Sequence, residues 1–96
     1  MVIDAITFKV KRGREHEFER HSENWTRLMR RSRGFISQVL MRNADDATEY
    51  RAEVRWTHRD YRDRFNAHED LESGSLMKTG AELLERAPTR ALLEIV

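Results

Sequence analysis

Glu49-Tyr50-Arg51-Ala52-Glu53-Val54-Arg55-Trp56-Thr57 alternates strictly. Tyr50, Ala52, Val54 and Trp56 fall on one side of an extended chain, and Glu49, Arg51, Glu53 and Arg55 on the other. A strand with one apolar and one charged side belongs in a sheet whose helices cover a single face. Working outward, Phe35–Arg42 reads as a strand joined to the strand at Ala47–Thr57 through Asn43-Ala44-Asp45-Asp46, whose side chains favour a tight turn. The two form an antiparallel hairpin. Residues 2–10 make an opening strand with Val2, Ile6, Phe8 and Val10 on one side, interrupted only by Asp4, and Ile3, Ala5, Thr7 and Lys9 on the other. Between Arg14 and about Arg33, Phe18, Trp25, Leu28 and Met29 form a helical stripe, with Gly34 as its C-cap. Thr57 and Asp60 resemble a capping box that opens a second helix carrying Tyr61, Phe65 and His68 on one face. Gly74 interrupts that helix, a further piece holds Leu76, Met77, Gly80, Leu83 and Leu84, and Ala91–Val96 follows Pro88 as a closing strand. The order β-α-β-β-α-β specifies an α+β fold of ferredoxin-like type, with an antiparallel four-stranded sheet.

Composition narrows the function classes. The 96 residues suit a single domain, 1–96. Eighteen basic and seventeen acidic residues leave a net charge of +1, so the chain has no general field for nucleic acid or an acidic membrane. Arg27, Arg30, Arg31 and Arg33 crowd the end of the first helix, where the helix dipole favours cations. Cysteine is absent, which removes disulfides, thiolate catalysis and cysteine-ligated metals. No apolar run approaches the ~20 residues of a membrane span. The expectation is a cytoplasmic protein without nucleic-acid or membrane partners. His16-Glu17-Phe18-Glu19-Arg20-His21 misses the zinc motif H-E-x-x-H by one residue. Its two imidazoles stand about 140° apart around a helix, so no metal is expected there.

The charged side of the third strand admits two readings. It is a solvated face with cross-strand ion pairs, or it is covered by a second subunit and lines an enclosed polar cavity. Ser37 or Gln38, Thr7 and Glu94 share that side, with Ile3, Ala5 and Leu92 interrupting it.

Gly34-Phe35-Ile36-Ser37, the hairpin with Asp45-Asp46, and Val54-Arg55-Trp56-Thr57-His58-Arg59-Asp60-Tyr61 resemble the antibiotic biosynthesis monooxygenase (ABM) superfamily. The likeness implies a dimeric α+β barrel in which the bare sheet faces of two subunits close on each other, and so a homodimer. Cofactor-independent oxygenases of the superfamily act on phenolic polyketides with a Trp at the end of the third strand, which Trp56 matches. Where they place an Asn four residues earlier, this chain has Ala52. Their Tyr one turn after the Trp corresponds to Tyr61 across a one-residue gap. Haem-degrading members need an Asn, a Trp and an axial His where this chain has Ile6 or Asp4, Phe65 or Arg64, and Gly74 or Ser75, so haem binding is disfavoured.

The resemblance implies a small-molecule monooxygenase that oxygenates a phenolic or enolisable substrate in a dimer-enclosed cavity, without cofactor or metal. The candidate catalytic residues are Trp56, His68, Glu53, Arg51 and Arg55, with Tyr61 and Phe65 as substrate-binding walls. His68 or Glu53 is the candidate base, because each can hold a proton near neutral pH when suitably placed. Arg51 or Arg55 would stabilise an anionic ligand through its planar fork. The competing reading is a non-catalytic dimeric domain of the same fold, in which Trp56 is core, His68 is a hydrogen-bonded core histidine and the charged row is self-neutralising.

Overall fold

The computed structural model describes residues 1–67 and 71–96, with the backbone alone for 71–76. Its elements are β1 (Val2–Lys9), α1 (Glu15–Arg30), β2 (Phe35–Asn43), β3 (Asp46–Trp56), α2 (Arg59–Ala67), α3 (Leu71–Leu83) and β4 (Thr89–Glu94). The four strands form one antiparallel sheet in the order β2-β3-β1-β4, the ferredoxin-like arrangement expected from the element order. The apolar alternation of β3 holds: Tyr50, Ala52, Val54 and Trp56 are all buried toward the helices.

Register defines two faces. Phe35, Trp56, Val2 and Glu94 form one transverse row, and Gln38, Val54, Asp4 and Leu92 the next, both on the helix side. Ser37, Arg55, Ile3 and Leu93, then Val39, Glu53, Ala5 and Ala91, occupy the bare face. Glu94 and Leu92 therefore stand on the opposite side from the one expected. The closing strand begins at Thr89, directly after Pro88, and its pairing with β1 puts Ala91 and Leu93 outward instead. A bulge at Ile36 resolves the other ambiguity, turning Gln38 inward and Ser37 outward.

Three local expectations are corrected. Gly34 is not the C-cap of α1: the helix ends at Arg30 with Arg31 as C-cap, and Gly34 takes a left-handed φ of +88° in the turn entering β2. A Cβ at Gly34 would collide with the Tyr61 ring, so the glycine answers both a backbone and a steric demand. His58, not Thr57, caps α2, because its Nδ1 accepts the Asp60 amide at 3.1 Å. Gly74 does not interrupt a helix, because α3 runs through it.

The core has two parts. One holds Val2, Met29, Val54 and Trp56, with Trp25, Phe35, Tyr61, Phe65 and Leu92 packed around them. The other holds Val10, Phe18, Tyr50 and Leu83, flanked by Phe8, Leu40 and Leu84. In the second part the Tyr50 hydroxyl donates to Glu19 Oε2 at 2.6 Å. Burial, together with that carboxylate, pushes the phenol up to about 12.

Candidate functional site

A cavity of about 350 Å³ opens where the two core parts meet, between the helix-facing side of the sheet and the helices. Its floor is the sheet: Asp4, Ile6 and Phe8 from β1, Ala52, Val54 and Trp56 from β3, Gln38 from β2 and Arg90 from β4. Its roof is Phe18, His21, Ser22, Trp25 and Met29 of α1, Phe65 and Asn66 of α2, and Met77, Gly80 and Ala81 of α3. Small residues shape the space. Ala52 leaves the floor low beside Ile6, and Gly80 lets α3 pack closely against His21 in the roof.

One end is aromatic. Trp25, Phe65 and Trp56 run in sequence, with ring centroids 5.7 Å and 5.6 Å apart, and Phe35 lies edge-on to Trp56 at 5.7 Å. Such a wall suits a flat, polarisable ring. Polar groups border the apolar interior at separate points. The Trp25 indole donates to His21 Nε2 at 2.8 Å, which leaves the proton of the neutral imidazole on Nδ1. Burial pushes the His21 pKa down and so favours that neutral ring. Gln38 Oε1 accepts from Thr26 at 2.6 Å, and Gln38 Nε2 donates to the Ser22 hydroxyl at 2.8 Å. Asp4, 4% exposed, meets Arg90 with Nη1–Oδ2 at 3.4 Å.

The structure divides the residues singled out from sequence. Trp56 and Phe65 line the cavity side by side. Arg51, Glu53 and Arg55 do not: they lie on the bare face, across the sheet, where Arg51 Nε meets Glu53 Oε2 at 3.2 Å. Tyr61 packs at the α2 entrance against Gly34, beneath the guanidinium groups of Arg33 and Arg64 at 5.8 and 5.5 Å. His68 lies outside the described residues. His16 is exposed whereas His21 is buried, so the two ends of the near-zinc motif face different surroundings. Asp4, His21, Gln38 and Arg90 were not singled out for the site. The available signal was Asp4 itself, a carboxylate in the apolar register of β1.

A family model for antibiotic biosynthesis monooxygenase matches residues 1–73. No curated protein matches the chain. Among solved structures, SnoaB, described as a cofactor-independent oxygenase from Streptomyces nogalater, is 22% identical and superimposes with a TM-score of 0.87 over 99% of this chain and 92% of that one. A conserved protein from Methanosarcina mazei Go1 is 12% identical, with a TM-score of 0.84 over 98% of this chain and 92% of that one. At these identities the two structures speak for the fold alone, whereas the family model spans most of the sequence. This chain belongs to the antibiotic biosynthesis monooxygenase family.

Proposed function

We propose that the protein is a small-molecule monooxygenase that binds a flat phenolic or enolisable substrate in the helix-side cavity and oxygenates it with dioxygen, without a resident cofactor. The observation that carries this reading is the aromatic wall of Trp25, Phe65 and Trp56 around about 350 Å³ of largely apolar space. The oxygenase description of the SnoaB structure supports it. The chemistry asks little of the protein beyond placement. A deprotonated phenol or enol is electron-rich enough to pass one electron to dioxygen, and recombination forms the carbon–oxygen bond. When a ring methylene becomes a carbonyl, the substrate supplies every electron, one oxygen atom enters the product and the other leaves as water. The cavity contributes orientation and exclusion of bulk water, with Trp56 and Phe65 as walls.

The bare sheet face supports a second element of the reading, a homodimer built on residues 1–96 as one domain. Val39, Met41 and Leu93 are exposed there beside the Arg51, Glu53 and Arg55 row. An apolar surface interrupted by charges able to pair suits a second copy of itself. Sedimentation at twice 11.5 kDa is the expected result, and a mass of 11.5 kDa at micromolar concentration would remove the dimer.

The activity is tested by following oxygen uptake with naphthols, catechols and hydroxyanthrones, in the presence of a chelator. Protein-dependent uptake with at least one of them is expected. A protein that binds these compounds and leaves uptake at the buffer rate would be the non-catalytic member of the fold.

A further inference from the structure

Asp4 is expensive where it stands. It occupies the row Gln38–Val54–Asp4–Leu92 on the helix side of the sheet, where an apolar residue would complete the core. Its side chain is 6% accessible, and a buried carboxylate without full pairing is unfavourable. Among the described residues its one polar partner is Arg90, at 3.4 Å and half exposed, which leaves acceptor capacity on the carboxylate. Two other cavity groups already have partners. The His21 Nε2 lone pair holds the Trp25 indole, so the ring nitrogen that remains is a donor, and Gln38 Oε1 already accepts from Thr26.

We infer that Asp4 is the acceptor for the hydroxyl of a neutral phenolic or enolic ligand in this cavity, with Arg90 as its counter-charge. The inference rests on the cavity being the substrate site, and it deepens that reading by naming what the site selects: a hydroxyl donor rather than the anionic ligand that the arginine row suggested. A ligand carboxylate would face Asp4 and be repelled. A hydroxyl donates to it across a charge-assisted bond. Before any electron leaves the bound ring, its O–H bond breaks toward Asp4. The proton passes to a carboxylate oxygen, the electron pair stays on the ligand oxygen, and Arg90 then faces the new anion. The charge within the cavity is the same before and after, so the transfer does not strand an ion in an apolar space.

Both tryptophans line the cavity, so quenching of intrinsic fluorescence reports its occupancy. The probes are 4-nitrophenol, 4-nitroanisole and 4-nitrobenzoate, compared in buffer between the ordinary carboxylate range and the nitrophenol's own pKa. The wild type is expected to bind the phenol about tenfold more tightly than the methyl ether, the worth of one hydrogen bond to a charged group, and to bind the benzoate worst. Asp4→Leu should erase the difference between phenol and ether. Asp4→Asn should admit the benzoate, since Arg90 loses its counter-charge. Equal binding of phenol and ether by the wild type, or absence of quenching by all three, overturns the inference whether or not either variant folds. The two readings fail separately: a phenol preference with no oxygen uptake would retire the oxygenase and leave Asp4 as a hydroxyl acceptor.

Discussion

Trp25 Nε1 and His21 Nε2 lie 2.8 Å apart, one turn of α1 from each other, in a roof that Gly80 of α3 approaches closely. The bond sets the histidine's tautomer, and the histidine holds the indole that begins the aromatic wall. A Cβ at Gly80 would stand 2.5 Å from His21 Nε2, at the atom that accepts this bond.

Gly80→Ala is therefore expected to cost about 1–3 kcal/mol, the usual penalty of overpacking, and to separate the pair. Thermal unfolding measures the first effect, and a shift in the Trp25 contribution to fluorescence measures the second. A neutral Gly80→Ala would mean that the roof is looser than its geometry.

Burial depresses the His21 pKa from its ordinary value of 6.5, so the unfolded chain takes up the proton first as pH falls. In the interval between the two values the unfolded state binds more protons, and stability rises with pH there. The stability contributed by the neutral ring is complete above the unfolded value and is lost as pH falls through the folded one. His21→Phe should flatten this part of the stability–pH profile, and urea unfolding across that range checks it.

Gly34 combines a left-handed φ with the Tyr61 ring against its α-carbon. Gly34→Ala should cost at least about 1–2 kcal/mol from backbone conformation alone, with a further loss from the ring. In the double variant with Tyr61→Ala the second part should shrink without vanishing, since the β-carbon of residue 61 would still stand 2.6 Å away, and the first should remain, which a double-mutant cycle resolves.

Trp56 is 1% exposed and touches Phe35 and Phe65. Trp56→Ala is expected to destabilise by about 3–5 kcal/mol. Denaturant midpoints compared at fixed protein concentration give the figure.

Asp4→Leu should be neutral or stabilising, because an apolar residue belongs on that row and Arg90, half exposed, keeps water as its partner. A higher unfolding temperature with a lost phenol preference would mark Asp4 as kept for binding.

Much of the fold could be read from side-chain alternation. Tyr50, Ala52, Val54 and Trp56 announced which side of β3 is covered, and the turn at Asn43 and Asp45 announced the hairpin. The site was less legible. Periodicity says which residues share a face, but a cavity arises where facing layers fail to fill the space, and that depends on residues distant in sequence, such as Ala52 below and His21 and Gly80 packed against each other above. The charged row Arg51-Glu53-Arg55 attracted attention because its chemistry is visible in one short run, yet it lies across the sheet from the cavity. Asp4 was visible as an exception in β1, but its meaning required Arg90, 86 residues away, on a strand whose register depended on where Pro88 released the chain.

On the proposed reading, oxygenation takes place on the helix side of the sheet, in the cavity floored by Ala52. Oxygen uptake with the best phenolic substrate, compared among the wild type, Ala52→Phe and Arg51→Ala at equal folded concentration, tests it most directly. Ala52→Phe, which fills the floor, is expected to abolish uptake, and Arg51→Ala, on the opposite face, to retain it. Uptake that survives Ala52→Phe and disappears with Arg51→Ala would move the chemistry to the bare face.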